Sequence, residues 1–206
     1  MKIKILLAVS VMFMFAVSAQ AQFANAGRSS SFGNQGPVEQ TGSVRVSYLP
    51  VSVDDADFNG VMVSFVKTMP ISQDMPLFVE TGIGLSWIGD EISEDFSLNF
   101  FSVNVPLNLG YQIQISDAAS ISPFIGIGLR GNVFGNYKQD GKSYDAFDKD
   151  EVSKAYQLKR FNIGWRAGAS VRINNAYIGA CYSSDFNDII KGGKASVPEL
   201  TLGFYF

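Results

Sequence analysis

Between residues 101 and 113 the chain alternates without a break: Phe101, Val103, Val105, Leu107, Leu109, Tyr111 and Ile113 share one parity, and Ser102, Asn104, Pro106, Asn108, Gly110 and Gln112 the other. A period of two belongs to a β-strand, whose successive side chains point to opposite faces. The run exceeds the roughly 5 to 6 residues of an average strand and suits the roughly 9 to 11 of a tilted strand that crosses a bilayer. Similar runs occupy residues 77–87, 121–133 and 160–172, and shorter or less regular ones 43–49, 60–68, 176–183 and 198–206. No stretch of helical period of any length interrupts them. Eight strands are therefore expected, an even number.

The spacers support the count. Residues 50–58, 88–97, 134–154 and 184–196 are mostly long and polar, whereas 69–76, 114–119 and the Asn174-Asn175 pair are shorter. Membrane barrels have short inner turns and longer outer loops, and with the amino terminus inside the four long spacers fall on the outer side. Open sheet edges cannot sit in hydrocarbon, so strands of this kind must close on themselves. The expected fold is all-β: a closed antiparallel transmembrane barrel of eight strands over residues 42–206.

The less apolar face separates this reading from a soluble barrel. A solvated face would carry Lys, Glu and Thr; here it carries Gly82, Gly84, Gly110, Gly126, Gly128, Gly164 and Gly168 with Ser and Asn between them, which suits a cramped lumen. On the apolar face, Tyr48, Trp87, Phe101 and Tyr182 fall near the outer ends of runs and Tyr111 and Phe206 near the inner, as in interfacial girdles. Trp165 falls mid-run and does not fit. Residues 1–21, with Lys2 and Lys4 before the apolar run 5–17 and Ala19-Gln20-Ala21 after it, read as a cleaved signal peptide. Residues 22–41, rich in Gly, Ser, Asn and Gln, read as a flexible lead-in.

The last residues, Leu200-Thr201-Leu202-Gly203-Phe204-Tyr205-Phe206, resemble the carboxy-terminal strand of Gram-negative outer-membrane proteins, and the alternating pattern from Gly42 onward is similar to small barrels of the OmpA and OmpX type and to porin-like barrels. The resemblance implies an outer-membrane location, lipid and lipopolysaccharide as surroundings, and Phe206 as the signal read by the barrel-assembly machinery. Some barrels of this size modify lipids with a His beside a Ser. This chain has no His at all, so that mechanism is excluded and a non-enzymatic protein is expected.

No cofactor or metal site is expected. The stretch Asp55-Ala56-Asp57-Phe58-Asn59-Gly60 begins like a calcium loop, but Val66 stands where the bidentate Glu belongs, so an acidic turn is the favoured reading. The single Cys181 cannot form an internal disulfide. Loss of the leader removes Lys2 and Lys4 and no acid, leaving a chain more acidic than its formal charge of −3 and ill suited to nucleic acid. A monomer is expected.

By parity Arg45, Glu80, Arg130, Arg160, Arg166, Arg172 and Glu199 point inward. Counting from strand ends puts Glu80 with Arg45, Arg166 and Arg172 in the inner half and Glu199 with Arg130 and Arg160 in the outer half, so two ionic clusters are expected. Three functional classes stay open: a barrel serving as membrane anchor with external loops for contacts, a narrow channel or conduit for small solutes, and a soluble secreted binding barrel.

Overall fold

The computed structural model describes residues 38–53, 56–72, 75–93, 96–139, 142–148 and 157–206. The leader and residues 22–37 lie outside them, as do Asp54, Asp55, Glu94 and Asp95 of the acidic spacers. Among the described residues there are ten strand segments: β1 Thr41–Val53, β2 Ala56–Pro70, β3 Leu77–Ser93, β4 Phe96–Tyr111, β5 Ile113–Ser116, β6 Ala119–Gln139, β7 Lys142–Asp145, β8 Phe161–Ile173, β9 Ala176–Asp185 and β10 Ala195–Tyr205. Eight of them pair antiparallel in the ring β1-β2-β3-β4-β6-β8-β9-β10, closed by β1 against β10. The short β5 continues β4 past Gln112 and pairs β6, and β7 is a hairpin extension of β6 outside the ring.

The strands reach further than the apolar runs. Pairing continues to Val53↔Ala56 and Ser93↔Phe96, so the spacers 50–58 and 88–97, expected as loops, are mostly strand. The cause is an inversion of polarity along each strand. Through the middle of the barrel the outward side chains are apolar, with Phe65 58% and Ile125 61% exposed. Toward the loop end the outward positions become Ser52, Asp57, Asn59 and Asn99 while the inward ones become Leu49, Val51, Phe58, Leu98 and Phe100. The period of two persists, but its phase now suits water outside and oil inside. At the bulge between Phe101 and Ser102, β4 faces Phe134 and then Asn132, so Val133 is the extra residue and both it and Phe134 are exposed.

The opposite rim carries the start of β1 and the end of β10. One of its two-residue turns, Asn174-Asn175, places Asn174 at φ 52, in the left-handed region that Asn tolerates better than most residues. Phe206 pairs with Gly42 through both backbone hydrogen bonds, and its ring lies where a Cβ on Gly42 would be, at 2.7 Å, so a side chain at position 42 would displace it. Phe206 points outward and is exposed, whereas Tyr205 points inward and is buried. The lead-in expected to be flexible through Thr41 contributes to this rim: Val38 is 4% exposed, and strand pairing begins at Thr41.

Candidate functional site

The inward faces of eight strands leave a lumen just wide enough to be filled by side chains, and among the described residues three ion pairs fill its polar part. Arg45 Nη2 lies 2.5 Å from Glu80 Oε2, with both residues under a tenth exposed. Arg45 Nε donates to Ser43 Oγ at 2.9 Å, its guanidinium carbon sits 3.8 Å from the centre of the Tyr177 ring, and Asn108 donates to Glu80 Oε1 at 3.0 Å. Gly203 makes room for the Arg45 stem, since a Cβ there would lie 2.8 Å from its Cγ. Glu199 accepts at Oε1 from Ser47 and Thr201, at 2.7 and 3.0 Å, and at Oε2 from Arg166 Nη2 at 3.2 Å. The third pair joins Arg130 to Asp185.

These partners differ from the two expected clusters. Arg166 serves Glu199 rather than Glu80, Arg130 serves Asp185 rather than Glu199, and Arg172 donates to the Asn174 carbonyl at 2.8 Å and stacks over Tyr205. Counting residues from strand ends ignores the tilt and stagger that closure imposes. The register Glu199↔Cys181↔Gly168 brings β10 to within one inward position of Arg166. Arg160 is not in the lumen: β8 begins at Phe161, and the exposed Arg160 packs over Phe147, 4.3 Å from its ring centre. Asp185 lies beyond the expected run 176–183, because β9 continues to it. Extending the parity Tyr177, Gly179, Cys181, Ser183 by one step would have found it.

Beyond the ion pairs the lumen turns apolar. Leu49, Val51, Phe58, Met62, Ile88 and Phe100, with neighbours on β4, β6 and β10, form one buried cluster. Loop residues complete it: Ala146, Leu158 and Ile189 are all buried in it. Backbone hydrogen bonds hold them there, from Ala146 to Gly135, from Leu158 to Ala146 and from Lys159 to Ile189. A belt of inward amides lies under these segments. Ser102 donates to Asn132 Oδ1, Asn132 to the Lys159 carbonyl, and Asn162 to the Asp188 carbonyl, so loop backbone that enters the barrel mouth finds partners. Nothing in the alternation of the runs announced this layer, although the inward Leu49-Val51-Val53 and Leu98-Phe100 were visible as a change of phase.

Between the first two ion pairs remains a cavity of ≈ 30 Å³, bordered by Arg45, Glu80, Phe124, Arg166, Cys181 and Glu199. One water needs roughly 10–15 Å³, so the space accommodates water and nothing larger. A second space of ≈ 10 Å³ lies at the terminal rim beside Val38, Arg172 and Tyr205.

On the outer wall the aromatic side chains gather toward the loop end, where Phe101 and Phe134 approach to 6.1 Å and Trp165 and Tyr182 to 5.7 Å between ring centres. Trp165, mid-run in the sequence, thereby stands beside Tyr182 of the same band. A closed eight-stranded ring, an apolar outer belt and a filled lumen decide the architecture. The fold is that of a small outer-membrane β-barrel. Solved barrels agree with it: the outer-membrane enzyme PagL matches with TM-score 0.53 at 11% identity, over 78% of this chain and 97% of that one. Neisserial surface protein A matches with TM-score 0.51 at 12% identity, over 83% and 98%. The attachment invasion locus protein Ail of Yersinia pestis matches with TM-score 0.46 at 16% identity, over 81% and 97%. No protein-family model and no curated protein matches the sequence.

Proposed function

We propose that this chain is exported by its amino-terminal leader to the outer membrane of a Gram-negative cell, where the barrel is a closed anchor and the loop end makes the contacts. The observation that carries this reading is the double seal of the lumen, with ion pairs in the middle and an apolar cluster across the loop end. A polar solute moving along the axis would have to break charge pairs and then cross oil. The outward belt supports membrane residence, because so large an exposed apolar surface is incompatible with a soluble secreted barrel. The narrow-conduit reading has the ≈ 30 Å³ cavity in its favour, but that space ends against the apolar layer. PagL is an enzyme, so the fold can host catalysis; in this chain no imidazole exists to act as base, which favours a non-enzymatic role. Lipid and lipopolysaccharide are the proposed surroundings and the monomer the proposed state.

Two measurements on the purified, reconstituted protein test this. Unheated and boiled samples should migrate differently on a detergent gel, and the protein should resist extraction by alkaline carbonate; equal mobility together with extraction would remove the membrane assignment. In planar bilayers the wild type should show no steady conductance. Glu80→Gln should stay closed as well, because the apolar layer remains, and an open wild-type pore would overturn the anchor reading.

We also propose Phe206 as the residue read during assembly. It is exposed at the outward edge of the closing strand, whereas Tyr205 is buried against Tyr177 at 5.8 Å between ring centres. Phe206→Asp should lower the fraction of chain inserted in cells by about tenfold or more through loss of the terminal aromatic, because a carboxylate at the rim costs only about 1 kcal/mol or less by itself. Equal insertion of wild type and Phe206→Asp would count against it. Tyr205→Asp should lower stability after insertion instead, which separates recognition from packing.

A further inference from the structure

The ring is closed by β1 against β10, and that seam is interrupted. Pairing runs from Ser43↔Tyr205 to Tyr48↔Leu200, stops, and resumes at Ser52↔Ser196. The register on both sides places Pro50 directly opposite Pro198. Neither has an N–H, so both hydrogen bonds of that facing pair are lost at once, and with them three successive rungs of the ladder. Proline is ordinarily confined to sheet edges or bulges; here two prolines face each other where the barrel closes. The β2–β3 seam, by contrast, is paired continuously from Asn59↔Gly89 to Pro70↔Phe78.

What lies on either side of the gap gives it meaning. Outside are Tyr48, Leu200 and the exposed Pro198, next to the aromatic band. Inside are Leu49, Val51 and Val197, all buried members of the apolar layer. Below them Glu199 holds Arg166. The gap opens at the aromatic band, where the outward face passes from Tyr48 and Leu200 to the polar Ser52 and Asn59, and it separates that upper edge of the hydrocarbon from an apolar interior with fewer hydrogen bonds than the β2–β3 seam. A polar solute would gain nothing by crossing it, whereas an alkyl chain would leave one apolar medium for another at little cost, its head group remaining at the interface.

We propose that the β1–β10 closure is a lateral gate, opening between Pro50 and Pro198 to admit the hydrocarbon chain of a membrane amphiphile into the apolar layer of the lumen. The gate rests on the membrane reading above but not on the absence of axial conductance. It needs no cavity at rest: Leu49, Val51 and Val197 occupy the space until the seam opens.

Hydrogen exchange and labelling by a hydrocarbon-soluble aryl diazirine, both on the full mature chain in phospholipid vesicles, test the proposal. The amides of Tyr48, Ser52, Ser196 and Leu200, which flank the gap, should exchange at least about tenfold faster than those of the β2–β3 seam. The diazirine should label Leu49, Val51 or Val197 as well as the lipid-facing Val63 and Phe65. Pro50→Cys/Pro198→Cys in a Cys181→Ala background, oxidised to a disulfide, should abolish the inward labelling and keep the outward. Pro50→Val/Pro198→Val restores both donors without a crosslink and should slow exchange at the seam. Seam amides as protected as those of β2–β3, or inward residues unlabelled while Val63 and Phe65 are labelled, would overturn the gate. Absence of label on Val63 and Phe65 too would instead strike at the membrane reading itself.

Discussion

Phe100→Ala should destabilise the folded barrel by about 3–5 kcal/mol, the cost of removing a large aromatic from a packed interior, whereas Phe101→Ala, one residue on, should cost about 1 kcal/mol or less. Phe100 is fully buried in the loop-end cluster. Phe101 points to the other side of the wall, where its ring meets Phe134 at 6.1 Å and lipid can replace the lost contact. Urea unfolding from vesicles, followed by the fluorescence of Trp87 and Trp165, reads the difference. Equal losses at the two positions would mean that the lumen is not oil-filled at this end, and the axial seal would then rest on the ion pairs alone.

Glu80→Ala should be comparably severe, about 3–5 kcal/mol, because it leaves a buried guanidinium with no counter-charge. Arg45 is 5% exposed and has Glu80 as its only ion-pair partner among the described residues; Tyr177 and Ser43 remain beside it but carry no charge to balance it. Replacing both members, as in Arg45→Met/Glu80→Leu, should recover most of the loss, since desolvation of the two charges offsets much of their attraction. The cycle of wild type, Arg45→Met, Glu80→Leu and the double variant, measured by the same unfolding assay, gives the coupling. A double variant as unstable as Glu80→Ala would show that packing around Arg45, rather than charge pairing, is what the site requires.

These two variants also mark where sequence reasoning succeeded and where it stopped. Glu80 and Arg45 are legible as inward residues of one half of the barrel because parity holds within their runs, but the sequence offers Glu80 three Arg partners, of which the structure selects Arg45. The inward placement of Phe100 is equally available from parity, but an apolar run alone does not mark the end of its strand, and the change of phase near Leu98 resembles the edge of a loop. Arg160 differs for the opposite reason: it precedes the first residue of β8, where parity no longer applies, and its side chain packs on Phe147 of a loop segment.

Alternation is a local property, and the sequence by itself therefore determined which face residues take within each unbroken run, how many strands close the ring, and that small residues and charges would line a narrow interior. Which charges meet is not local. It depends on strand tilt and stagger around the closed ring, and only the tertiary structure set Arg166 against Glu199 and Arg130 against Asp185. The same holds for Pro50 and Pro198, separated by most of the barrel in sequence and brought face to face by the register of the closing seam. It holds too for the apolar layer, because Ala146, Leu158 and Ile189 reach it from loops that have no period to read.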